Sequence, residues 1–162
     1  MPIELGEHFQ VSYVTRSIEQ GTEFLVSALG ARQVSRFEDV RGADGGPTAL
    51  QNLSHFDLGG TEIELIEPRD PWPGSIYLDQ PWDDGRTVFF HHLGYLLPSH
   101  DAWERSVRDA QEAGFAVPML MDVEGVAVAY IDMRSTIGHF IELVHRDPGT
   151  GPGGVKKEEV AP

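Results

Sequence analysis

Two glutamates of this sequence stand inside apolar segments that echo one another, Glu64 in "GTEIELIEP" (residues 60–68) and Glu142 in "GHFIELVHR" (residues 138–146). A strand sends alternate side chains to opposite faces, so Glu64 shares a face with Ile66, and Glu142 shares one with Phe140 and Val144. An unpaired buried carboxylate costs several kcal/mol, so each glutamate needs a partner, a cation or a water-filled cleft. Aligning the two segments and moving upstream lays "FQVSYV" over "HHLGYL", with Gln10 on His92 and Tyr13 on Tyr95. If the two copies pack about a pseudo-twofold axis, Gln10, Glu64, His92 and Glu142 converge. One imidazole, two carboxylates and one amide oxygen form a nitrogen and oxygen set suited to one divalent ion such as Zn, Ni, Co, Mn or Fe.

The elements that must carry these residues are also written twice. Each copy opens with an alternating strand, Phe9 to Thr15 and Phe90 to Leu97, followed by a helical stretch. Ser17 and Ser99 stand where each helix would be capped, and Gly30 and Gly114 where each would stop. Three strand-like runs follow in each copy, about residues 31–39, 48–57 and 60–67, then 115–121, 126–132 and 138–145. The unit is therefore βαβββ, present in tandem, which makes the chain α+β. Module 1 covers about residues 8–68 and module 2 about 89–146, with a linker at 69–88 and a tail at 147–162 too poor in apolar residues to fold.

The chain resembles the vicinal oxygen chelate superfamily, which includes glyoxalase I, methylmalonyl-CoA epimerase, extradiol dioxygenases and bleomycin resistance proteins. The resemblance covers about residues 8–146 and rests on Gln10 in "FQVSYV", Glu64 in "IELIEP", His92 in "HHLGYL" and Glu142 in "FIELV". It implies one glyoxalase-like domain over residues 1–146, a cupped mixed sheet with its helices outside, and one metal ligand from the first and last strand of each module. The order Gln, Glu, His, Glu is similar to one form of glyoxalase I. Epimerases and dioxygenases of the family usually begin with His where Gln10 stands, so a two-His, one-carboxylate iron site is not matched. Val14 and Val88 occupy positions where glyoxalase I carries basic residues for glutathione carboxylates, which argues against that adduct as substrate.

The chemistry that follows is proton abstraction next to a carbonyl, with a metal-stabilised enediolate or enolate, as in an isomerase, epimerase or lyase. Glu142 is the expected base and Glu64 its counterpart on the opposite face. The alternative is a binding protein that sequesters an antibiotic-type small molecule, and a ring-cleaving dioxygenase comes third. His8 lies two residues before Gln10 and is either the ligand in its place or an outer partner. His91 has the wrong parity for the cleft and His139 faces with Ile141, so both read as structural, while His55, His100 and His145 have no nameable partner. The expected pocket walls are Phe90, Phe140, Leu96, Ile66 and Val144, with Trp72, Tyr77 and Trp82 of the linker added if that segment is a lid and not a plain surface connection.

Composition excludes more than it suggests. Of 162 residues, 26 are acidic and 12 are Lys or Arg, a formal charge of −14 that disfavours nucleic acid as a partner. No apolar run is long enough for a bilayer and the first ten residues lack signal-peptide character, so a cytoplasmic protein without membrane contact is expected. The absence of cysteine removes thiol nucleophiles and thiolate ligands. The implied partner is a small-molecule substrate, and modules of this family often exchange between chains, which leaves a homodimer open.

Overall fold

A computed structural model describes residues 2–41, 50–70 and 74–150, the side chain of Asp70 excepted. Trp72 and residues 151–162 of the tail lie outside these. The elements run β1 (Glu7–Thr15), α1 (Ile18–Leu29), β2 (Arg32–Arg41), β3 (Leu50–Leu58), β4 (Thr61–Asp70), β5 (Val88–Leu96), α2 (His100–Glu112), β6 (Met119–Val123), β7 (Val126–Asp132) and β8 (Phe140–Arg146), with a short 3-10 turn at Trp82–Asp84. The βαβββ unit is thus built twice. Ser17 Oγ accepts from the Gln20 amide and Ser99 Oγ from the Ala102 amide, which satisfies one orphan donor at each helix start. β6 begins later than the alternation suggests because Pro118, having no N–H, cannot enter the ladder. Phe115 and Val117 before it pack instead against the α2 core.

All eight strands form one mixed sheet in the order β2-β3-β4-β1-β5-β8-β7-β6. Within each module the first and last strands are parallel neighbours, β1 with β4 and β5 with β8. The modules join where β1 runs antiparallel to β5, the pairing expected of a twofold-related duplication. One face is covered by the helices. Ile18 and Leu25 of α1 pack with Phe56, Ile63 and Leu65, while Trp103, Val107 and Ala110 of α2 pack with Ala129, Ile141 and Leu143. Val14, Ile66, Val128, Tyr130, Phe140 and Val144 form a third cluster on the inner face of the cup, joined by Ile76 and Tyr77 from between the modules. The repeated Ile-Glu-Leu therefore splits as strand parity requires, isoleucine and leucine toward a helix and glutamate inward.

Two irregularities at the module junction alter that parity upstream. The register of β1 on β5 passes from His8 opposite Tyr95 to Gln10 opposite Gly94, which leaves Phe9 as an extra residue in β1. It then passes from Ser12 opposite His92 to Tyr13 opposite Phe90, which leaves His91 extra in β5. These are equivalent bulges, one in each module, immediately before the aligned Gln10 and His92. A bulge adds an unpaired residue and re-aims the side chains around it. Phe9 packs on the inner cluster beside buried Gln10, and His91 and His92 are both buried next to Tyr130. No helix among the described residues is long and apolar enough to cross a membrane.

Candidate metal centre and cavity

The inner face surrounds a cavity of about 380 Å³ lined from both modules. Apolar walls come from Leu53, Ile66, Met121, Val126, Val128 and Val144, and the polar groups include Gln10, His55, Glu64, Glu142, Arg41 and Arg146. Tyr77 also lines it, with its hydroxyl 3.1 Å from that of Tyr130. Burial holds the Tyr130 hydroxyl well above its usual titration range, helped by the negative field of Glu142, so it stays protonated.

His92 is wholly buried, and its Nε2 stands 3.6 Å from Glu64 Oε2 and 3.5 Å from Glu142 Oε2. Both distances exceed a hydrogen bond, and Nε2 has no hydrogen-bond partner among the described residues. The network behind the ring decides where its proton sits. His91 Nε2 lies 3.1 Å from the carbonyl of Ile76, which can only accept, so that nitrogen carries a hydrogen. Burial, with the adjacent His92 imidazole, pushes His91 down to about 3 and keeps it neutral, so its Nδ1 holds a lone pair. That Nδ1 is 2.8 Å from His92 Nδ1, which must therefore donate. The hydrogen on Nδ1 follows from the network, and it leaves Nε2 as the ring atom turned toward the two carboxylates. Three electron-pair donors facing one region need a cation or a proton among them, and the donor types fit a divalent ion.

The two glutamates are held differently. Glu64 Oε2 accepts from Ser12 Oγ at 2.9 Å, and its Oε1 lies 3.5 Å from His55 Nε2. Burial raises the Glu64 carboxyl, but His55, His92 and Ser12 more than offset it and leave it below its usual range. For His55 burial works downward, and the Glu64 carboxylate prevails and raises it. Glu142 receives no hydrogen bond from any described residue. The position that matches Ser12 in its module is Gly94, paired with Glu142 as Ser12 is with Glu64. A Cβ on Gly94 would lie 3.0 Å from the Phe9 ring and 3.1 Å from the Glu142 carboxylate, so only a residue without one lets both side chains cross the strand undisturbed.

The remaining sequence-derived positions divide. Gln10 is buried on the cavity wall, where its Nε2 donates to Glu62 Oε1 at 2.7 Å and its oxygen remains as the acceptor. The donor atoms of Glu64, His92 and Glu142 do not all lie within 4.8 Å of one another. The only described carboxylate and imidazole group that closes so tightly is His100, Asp101 and Glu104 on the surface, where His100 is already bound to Asp122. Holding one ion between the two glutamates therefore requires a carboxylate to swing, and Glu142 is the unanchored one.

Several expectations are corrected. His8 is exposed against Tyr95 on the outer side, because the Phe9 bulge turns it away from Gln10, so it does not replace that residue. His91 faces inward, contrary to simple parity, and orients His92. Phe90 is displaced outward by the matching bulge, 40% exposed and against Tyr13 and His139. Phe140 is buried beneath the site, stacked on His91 with 4.9 Å between ring centroids, and Leu96 packs on the inner cluster without reaching the cavity. Trp82 packs on Phe89 and donates to the Leu78 carbonyl. Of the linker aromatics expected as walls, Tyr77 lines the cavity, as do Ile66 and Val144 of the strands. His55 was without a partner in the sequence, although its place was readable. Gly59 and Gly60 both have positive φ, as a two-residue hairpin turn requires, and counting back from that turn sets His55 opposite Glu64.

The orienting chain predicts that His91→Phe, which keeps the ring stack on Phe140, weakens divalent-metal affinity by about 10- to 100-fold. Calorimetric titration with Zn, Ni and Co measures this, and unchanged affinity would mean that His92 needs no such support.

Comparison with known proteins agrees with the architecture. Residues 9–134 match the model of the Glyoxalase/Bleomycin resistance protein/Dioxygenase superfamily. The chain belongs to that superfamily. Among solved structures it is similar to methylmalonyl-CoA epimerase from Mycobacterium tuberculosis (18% identity, TM-score 0.62, 91% of this chain and 93% of that one). It is also similar to Streptomyces coelicolor methylmalonyl-CoA epimerase in complex with 2-nitronate-propionyl-CoA (18%, 0.61, 90% and 97%). A hypothetical protein from Bacillus halodurans matches at 20% identity and TM-score 0.58, over 87% of this chain and 94% of that one. At these identities the likeness is one of fold. No curated protein matches the sequence.

Proposed function

We propose that the protein is a metal-dependent enzyme that removes a proton next to a carbonyl of a small, largely apolar molecule, as an isomerase, epimerase or lyase does. The observation that supports this most directly is the buried His92 Nε2, without a hydrogen-bond partner among the described residues and set between Glu64 and Glu142. Gln10, Glu64, His92 and Glu142 would hold one divalent ion, with Zn, Ni, Co, Mn or Fe all compatible with the donors. Such an ion supplies a Lewis acid that polarises a substrate carbonyl.

The chain's own residues supply the rest. Glu142, which accepts no hydrogen bond from the described residues, takes the proton from the carbon beside the carbonyl and can return it to a neighbouring position. Glu64, tied to Ser12 and His55, keeps its place as a ligand. The apolar walls exclude water from the carbanion-like carbon, and Tyr77 and Tyr130 close the floor.

The sequestering reading is supported by the same apolar cavity, and one experiment separates the two. Protein purified without chelator is analysed for metal, then incubated with a methyl-ketone or aldehyde panel in deuterated water. The expected result is about one transition-metal ion per chain and deuterium entry beside the carbonyl that stops after chelation. A metal-free protein that binds such molecules without exchange would establish the binder instead.

A further inference from the structure

We propose that the substrate of this cavity ends in a carboxylate, which Arg146 grips while the carbonyl end lies beside Glu142. The carbonyl end rests on the functional reading above. The anionic end rests on Arg146 alone.

Arg146 lines the cavity from the end of β8, four residues beyond Glu142 and on the same face. Its Nε is buried and has no hydrogen-bond partner among the described residues, and none of their carboxylates stands within ion-pair distance. Among the described arginines it is the one with a buried nitrogen that lacks a partner. Arg16, Arg32, Arg36, Arg86 and Arg134 each pair with at least one carboxylate on the surface, while Arg41, Arg69, Arg105 and Arg108 are unpaired among the described residues but exposed to water, Arg41 at the cavity's edge. Glu62, beside the cavity residue Gln10, accepts from that amide. The guanidinium of Arg146 instead sits 5.2 Å from the centroid of the Phe9 ring, the residue that the β1 bulge turns inward. Its charge reaches His55, which it disfavours as a cation.

A guanidinium that leaves its fork unpaired against an aromatic face is matched by a planar acceptor, and a carboxylate takes it with two parallel hydrogen bonds. One half-buried guanidinium under a net charge of −14 suits a single negative charge better than a phosphate dianion. At about 3.3 Å per residue, the backbone positions of Glu142 and Arg146 are about 13 Å apart, so the two ends belong to one molecule several bonds long.

The probes are levulinate and its longer methyl-ketone homologues, each beside its methyl ester, titrated calorimetrically into metal-free protein. Without metal, Glu64 and Glu142 repel an anion at their end, so any preference for the acid comes from elsewhere in the cavity. At the chain length that reaches Arg146 the acid is expected to bind at least about tenfold more tightly than its ester. Arg146→Gln removes that preference by weakening the acid much more than the ester, and Arg146→Lys restores part of it. Equal affinity of acid and ester at every length, no binding of either, or a preference that survives Arg146→Gln overturns the proposal. If Arg146→Gln fails to fold, the comparison of acid with ester in the unaltered protein decides alone. Metal titration of the same protein is read separately. Acid preference without metal binding keeps this inference and rejects the metal enzyme, and the reverse pair of results does the opposite.

Discussion

Glu142→Gln is expected to bind metal nearly as well as the unaltered protein and to lose proton exchange by about 10²- to 10⁴-fold, the usual contribution of a positioned general base. The substitution keeps the shape of the side chain and an oxygen able to ligate, but the amide cannot accept a proton from carbon. Anchoring distinguishes Glu142 from Glu64. Ser12 holds Glu64 through its hydroxyl at 2.9 Å, whereas Gly94 leaves Glu142 with no donor from the described chain. A base that abstracts from substrate must loosen from the ion to do so, because a metal-bound carboxylate is a poor base. Deuterium exchange per bound metal is the measurement. Exchange at the original rate in this variant would move the base to another residue.

His92→Ala is expected to abolish stoichiometric metal binding, a larger loss than the roughly 10- to 100-fold typical of altered outer partners. The ring is buried with 0% exposure and is the one nitrogen donor in the proposed set. Its removal also strands His91 Nδ1 without the hydrogen it accepts, which costs roughly 1–3 kcal/mol of stability in the metal-free protein. Because misfolding would also lower metal content, His92→Gln serves beside it. That variant retains an amide oxygen, should fold with a thermal midpoint closer to the original, and should hold metal more weakly than the unaltered protein but better than His92→Ala. Full metal occupancy in His92→Ala would remove His92 from the ligand set.

Much of this arrangement was legible in the chain because duplication writes it twice. One Ile-Glu-Leu strand is ambiguous, but two in register define a module, its inner face and its partner strand. Gln10, Glu64 and Glu142 reach the cavity wall as that alignment implies, and His92 lies buried behind the two glutamates. What the alternation could not show were the two bulges. Neither Phe9 nor His91 is a glycine or proline that would mark an interruption, so strict parity sent His8 and Phe90 inward and His91 outward, each the wrong way. The misplaced pocket residues have the same origin or a simpler one. Leu96 and Trp82 pack into clusters behind the wall, where long-range contacts decide and local pattern is silent. Arg146 stood in the quoted closing segment itself, yet its isolation is visible only when every neighbour is in place.

The contrast between Ser12 and Gly94 has a stereochemical consequence. A perfectly duplicated centre would offer equal bases above and below one carbon and would scramble its configuration. Tethering one carboxylate and freeing the other makes the two faces of a planar intermediate unequal. Under the proposed reading, a hydrogen lost from one face returns to that same face, so a suprafacial shift between neighbouring carbons suits this site better than inversion at one of them.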